Sequence, residues 1–214
     1  MMLREYPFFS IEECEEIKEY IYKKEVGLRE IDYISYNKTP TKKYKINSNS
    51  FNQYNFLTDH PIYANRLVNL LKNIGCPVEY PILIQSWINI YRKGDGIGWH
   101  GHQGNGFSFN IFIDGDISTG PVYLLTGKFG GLDKYDMQLV NFKNKKGYIQ
   151  IFPSPIFHKV DPVSSERTTI GGTIYNYSSM SAHELSSLCL NSEKDYILLK
   201  SKFSEQDFER GKLA

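Results

Sequence analysis

The feature that most constrains this chain is the run of short apolar and aromatic segments beginning at Pro81. Ile82–Arg92, Phe107–Ile113, Val122–Thr126, Tyr135–Phe142, Tyr148–Phe152 and Thr168–Tyr177 are each rich in β-branched or aromatic residues, with Gly, Asp, Asn or Pro clusters between them. Such residues suit a pleated surface, and such separators make turns. Strands at roughly even spacing predict an antiparallel sandwich or barrel, because too few helices lie between them for a parallel sheet. The aromatic content of 14%, with 16 Tyr and 13 Phe, points the same way. The fold class expected is mainly β, a jelly roll with a helical buttress packed on one sheet.

Two helices precede the strands. Ser10-Ile11-Glu12-Glu13 has the form of a capping box, which predicts a helix to about Lys24 with Ile11, Cys14, Ile17, Tyr20 and Ile21 on one face. Pro61, at a first-turn position, predicts a second helix from near Asp59 to Gly75, with Ile62, Leu67, Leu70, Leu71 and Ile74 as its core stripe. Residues 27–58 read as loops with one or two short strands, such as Tyr44-Lys45-Ile46. After Ser178, the segments Ala182–Leu190, Tyr196–Lys200 and Ser204–Arg210 carry weak helical character. The organisation expected over residues 1–214 is one domain: buttress 1–80, β core 81–177 and tail 178–214.

Charge narrows the partners. The chain has 25 Lys+Arg against 24 Asp+Glu, a net +1, which argues against the broad basic footprint that duplex nucleic acid requires. Its 41% hydrophobic and 23% charged residues are ordinary globular usage and argue against disorder. The opening MMLREYPFFSIEECEE lacks the basic start and apolar run of a signal peptide. No stretch approaches the roughly 18 apolar residues of a membrane span. Cys14, Cys76 and Cys189 form no C-x-x-C pair and read as reduced, mostly buried thiols. The expectation is a soluble cytoplasmic protein (host cytoplasm if viral) with no membrane partner.

Three of the five histidines concentrate the chemistry. His100 and His102 are two apart, so an extended Gly101 turns both to one side, and His158 lies 56 residues beyond His102. An antiparallel sandwich can return a distant strand over such a gap. Imidazoles in this number suit a first-row metal ion. Arg167, nine residues beyond His158, opens the last strand and offers a planar fork for a carboxylate. His60 and His183 have no partner in the sequence and read as solvated or capping.

These segments resemble the iron(II)- and 2-oxoglutarate-dependent oxygenases, in particular their prolyl-hydroxylase-like branch and related oxygenases of phages and bacteria. Trp87–Asp95, Trp99–His102, Gly147–Ser154 with His158, and Arg167–Thr169 follow the order of that family, over residues 81–177. The stretch GYIQIFPSPIFHKVDPVSSERTTIGGTIYN is the most specific part. The resemblance implies a double-stranded β-helix with Fe(II) at a catalytic centre formed by His100, His102 and His158. It implies 2-oxoglutarate as co-substrate, its distal carboxylate clamped by Arg167 with Thr169, and Tyr91 and Asn89 placed against it. The implied reaction consumes O2, releases succinate and CO2, and hydroxylates a protein or peptide (prolyl among them) or a small molecule.

One departure is plain: His102 stands where the family places Asp. Either His102 ligates, or it swings away and water or an anion takes the place. Asp95, Asp114 and Asp116 carry carboxylates, but none has the i, i+2 relation to His100. Trp99 reads as a wall of the substrate side or as core, and the glycines of 127–136 as hinges of a lid or a hairpin tip. A cupin-like three-histidine enzyme without 2-oxoglutarate is the competing reading, and it has no use for Arg167. A non-catalytic binding or virion-accessory jelly roll is another. Nucleic-acid dealkylation is disfavoured by the charge balance.

Overall fold

A computed structural model of the chain describes residues 3–29, 56–78, 82–102, 106–127, 137–176 and 197–199. The expected lid glycines after 127, the Tyr44–Ile46 strand, His183 and the rest of the tail lie outside these residues. The chain opens with strand β1 (Arg4–Pro7), helix α1 (Ile11–Arg29), a single turn α2 (Phe56–Asp59) and helix α3 (Pro61–Asn73). The β region follows as β2 (Ile82–Tyr91), β3 (Ile97–His100), β4 (Gly106–Gly115), β5 (Pro121–Thr126) and β6 (Met137–Asn141). It continues with β7 (Tyr148–Pro153), β8 (Phe157–Val160), β9 (Arg167–Asn176) and β10 (Ile197–Leu199).

The strands form two sheets, one ordered β1-β7-β4-β9-β2-β10 and the other β3-β8-β5-β6, antiparallel throughout. From β2 to β9 the chain passes repeatedly between the sheets, which is the jelly roll the segment pattern predicts. Alternation then sorts each strand of the larger sheet by face. Ile88, Ile90, Ile111, Ile151 and Ile170 turn outward and form one buried cluster with Ile17, Ile21, Leu67 and Leu71 of the helices. At roughly 1.5–3 kcal/mol for each fully buried aliphatic side chain, this layer is the main anchor of the buttress. The residues between them face the second sheet, where the site lies.

The capping box of α1 is present in both directions: Ser10 N donates to Glu13 Oε2 at 2.9 Å, and Glu13 N donates to Ser10 Oγ at 3.1 Å. Cys14, Ile17 and Ile21 are buried as their spacing predicts, whereas Ile11 is exposed, as is Ile62 in the first turn of α3. The helix also continues to Arg29, beyond the expected end at Lys24. The expected second helix is α3, with His60 at its N-cap position and Pro61 in its first turn, and the separate single turn α2 precedes it. His60 is neither solvated nor a side-chain cap. It makes no cap bond, and its ring packs among Tyr20, Phe56 and Tyr63 at 4.4–5.8 Å.

The weak helical reading of Tyr196–Lys200 is corrected: Ile197–Leu199 is a strand paired with Ile82–Ile84. The open edge of β2 offers unpaired backbone groups, and an Ile-Leu-Leu segment fits there better than a frayed helix does. Strand β1 caps the other edge through β7. Among the described residues no helix is long and apolar enough to cross a membrane.

Candidate functional site

The gap between His100 and His158 is closed by one strand pairing. β3 and β8 run antiparallel with His100 directly opposite His158, so the two rings lie 4.1 Å apart on the inward face. His102 follows just beyond β3, where its backbone N donates to Ser154 O at 2.9 Å. Its ring lies 5.4 Å from that of His100 and 5.2 Å from that of His158. One donor atom from each histidine falls within 4.8 Å of the others, a cluster able to hold a metal ion.

The ring nitrogens are sorted by the backbone. His100 Nδ1 lies 2.9 Å from Gly98 O, and His158 Nδ1 lies 3.0 Å from Ile156 O. Only an N–H can serve a carbonyl, so both protons sit on Nδ1 and the Nε2 lone pairs are left for a ligand. Burial lowers all three imidazoles from the ordinary range, His102 to about 4 and His158 to about 3, with the neighbouring His100 adding to both shifts. Neutral, oriented imidazoles at physiological pH are the form a metal takes.

The three candidate carboxylates are engaged elsewhere. Asp95 Oδ2 accepts from the backbone of Arg92, closing the turn after β2. Asp114 pairs with Lys18 and Lys146 on the helix side. Asp116 accepts from Ser118, Thr119 and Ser164. None of them lines the cavity beside the histidines.

Arg167 is the sharpest feature. Its side chain is 1% exposed, and none of Nε, Nη1 or Nη2 has a hydrogen-bond partner. Burial pulls its pKa down, with Tyr91 and Tyr123 acting against that shift, and the guanidinium sits 4.9 Å over the Tyr91 ring. A buried cation without a carboxylate is costly unless a ligand supplies the anion. Register explains its neighbours. Tyr91 is cross-strand from Arg167 and Asn89 from Thr169, and Asn89 Nδ2 lies 3.5 Å from Thr169 Oγ1.

Three further residues line the same cavity of about 60 Å³, several times what one water needs. Trp87 continues the Tyr91, Asn89 alternation and packs 5.5 Å from His102, so the period of two could have found it. Asn110 lies on β4 opposite Gly171. Tyr123 comes from β5 in the other sheet, where no local signal marks it. Its ring stacks on His158 at 5.8 Å, and its hydroxyl donates to Gln150 Oε1 at 2.8 Å. Trp99, in contrast, is 43% exposed, with Lys159 Nζ 5.4 Å from its ring centroid. It is neither cavity wall nor core, because alternation along β3 turns it away from the side that holds His100.

No family model and no curated protein matches the sequence. Solved structures do match in fold. A prolyl-4-hydroxylase from Pseudomonas putida is 11% identical over 80% of this chain and 91% of its own, with TM-score 0.52. A viral collagen prolyl hydroxylase from Paramecium Bursaria Chlorella virus-1, solved as a 2OG complex, is 14% identical over 81% and 96%, with TM-score 0.55. The non-heme alpha ketoglutarate dependent epimerase SnoN from nogalamycin biosynthesis is 9% identical over 81% and 78%, with TM-score 0.56. The chain therefore has the jelly-roll fold of the prolyl-4-hydroxylases and other 2-oxoglutarate- and iron(II)-dependent oxygenases. That fold carries hydroxylases and an epimerase alike, so the reaction follows from the site and not from the fold.

Proposed function

We propose that the protein is an iron(II)- and 2-oxoglutarate-dependent oxygenase acting on a peptide or small-molecule substrate. The observation that carries this reading is Arg167, an unpartnered, fully buried cation over Tyr91, whose side chain lines the cavity of the three neutral imidazoles. Iron would be held by His100, His102 and His158 through the nitrogens that the backbone carbonyls leave free. Arg167 would receive the distal carboxylate of 2-oxoglutarate, with the Thr169 hydroxyl and Tyr91 on the same sheet face and Asn89 bound to Thr169. The cavity presents donors and no carboxylate among the described residues, which suits a dianion and disfavours a cationic ligand.

Bound together, iron and 2-oxoglutarate supply the oxidation of a substrate C–H bond by O2, with succinate and CO2 as by-products. The chain contributes placement. Gly98 O and Ile156 O fix two imidazoles, Tyr123 packs on His158, and Phe152 and Val160 keep water from the inner wall. With His102 in place of a carboxylate, the residues give a set of neutral ligands, so the anionic charge at the metal comes from the co-substrate. A three-histidine metal enzyme that uses no 2-oxoglutarate would leave Arg167 unexplained.

The test is anaerobic titration of the Fe(II)-loaded protein with 2-oxoglutarate, followed by the charge-transfer absorbance of the chelate and by calorimetry. Wild-type protein should bind, and Arg167→Met should bind at least about 100-fold more weakly, in line with a lost charge-assisted pair. Equal binding by the two, or none by the wild type, refutes the proposal.

A further inference from the structure

We infer that Asn110 is a second anchor of this cavity, its Nδ2 donating to the keto-acid end of the co-substrate while Arg167 holds the distal carboxylate. The inference rests on the reading of the site as a 2-oxoglutarate site and adds a residue that neither the histidine motif nor the arginine spacing marks.

Asn110 Nδ2 is buried and has no hydrogen-bond partner, as are the three Arg167 nitrogens. A buried donor without a partner is costly, so an orphaned amide in the cavity wall is best explained by an acceptor ligand. Register places Asn110 under the histidines. One cross-strand row of the larger sheet reads Glu5, Gln150, Asn110, Gly171, Trp87. On one side of Asn110, Gln150 accepts the hydroxyl of Tyr123, the ring stacked on His158. On the other, Trp87 packs against His102.

Gly171 makes room for the Trp87 indole to lie across the strip beside Asn110. A Cβ there would lie 2.8 Å from Trp87 Nε1 and 3.4 Å from Asn89 Nδ2. Arg167 stands two same-face steps further along β9, roughly 13 Å at Cα. Its own side chain and a five-carbon dicarboxylate together bridge that span. The two donors, the Asn110 amide in the cavity wall and the Arg167 guanidinium over the wall residue Tyr91, match a ligand with acceptor oxygens at both termini.

Calorimetry on the Zn(II)-loaded protein, which is redox-inert, separates the two ends. The probes are 2-oxoglutarate, which has both ends, and pyruvate, which keeps only the keto-acid end. Asn110→Leu should weaken both ligands by a similar factor, about tenfold or more, with Zn(II) affinity unchanged. Asn110→Asp, nearly isosteric and so little disturbing to the fold, should weaken both further because it sets a carboxylate against the ligand's own. Arg167→Met should reduce 2-oxoglutarate to the affinity of pyruvate and leave pyruvate as it was. Wild-type affinity for both ligands in the Asn110 variants, or a loss confined to 2-oxoglutarate, overturns the assignment. Wild-type protein that binds neither ligand overturns the co-substrate reading itself, and this assignment with it.

Discussion

Replacing Arg167 by Met should make the ligand-free protein more stable and the ligand-bound protein less so. Three charged donors without partners cost about 1–3 kcal/mol each, so about 3 kcal/mol at the low end. The face of Tyr91 returns about 2 kcal/mol to a desolvated cation. A net penalty of at least about 1 kcal/mol remains, and methionine, apolar and adaptable, fills the space without it. For a chain of this size that corresponds to a rise of about 2–4 °C in Tm. With 2-oxoglutarate at 100 times the wild-type Kd, the metal-loaded wild type should gain about 2.7 kcal/mol, or about 5–11 °C, while the variant, binding at least about 100-fold more weakly, gains at most about 0.4 kcal/mol. The assay is a pair of thermal melts for each protein, with and without ligand, and the signature is a reversal in their order. An Arg167→Met protein that melts below the wild type without ligand would show that the guanidinium is already satisfied. A ligand shift as large in the variant as in the wild type would show that it does not bind the carboxylate.

Other outcomes follow from the fold. Gly147 sits at φ +77°, and a Cβ there would lie 2.2 Å from Phe9 O, so Gly147→Ala should cost about 2–4 kcal/mol by urea unfolding; a cost below 0.5 would contradict the close approach. Ser10→Ala removes half of the capping box and should cost about 0.5–2 kcal/mol in the same measurement. Burial alone would raise the Asp116 carboxyl, but hydrogen bonds from Ser118 and Ser164 hold it well below the usual range. Because the folded value is depressed, its contribution is full above the unfolded value of about 3.9 and fades as pH falls below it. Asp116→Asn should therefore be less stable than wild type at pH 7 but lose less between about pH 4 and pH 2; parallel pH profiles would sink this account.

The sequence by itself determined what is local. Ser10 and Glu13 three apart form a capping box wherever a helix follows, and both of its bonds are present. Alternating Ile residues in β2, β4, β7 and β9 dictate an apolar face, and the amphipathic helices covering it follow from the same periodicity. The i, i+2 spacing of His100 and His102, and of Asn89 and Tyr91, is a property of extended chain and needs no neighbour.

Tertiary structure decided what depends on a second strand or a second sheet. Ile197–Leu199 is a strand only because the edge of β2 is open, a fact absent from its own three residues. The pairing of His100 with His158 needs β3 and β8 to meet across 58 positions of chain. Only packing shows that Asp95, Asp114 and Asp116 are held by other partners. Tyr123 and Asn110 carry no motif at all. They belong to the site because sheet closure brings one over His158 and register puts the other beneath it, and burial, which no single segment encodes, leaves the amide of Asn110 and the guanidinium of Arg167 waiting for an acceptor.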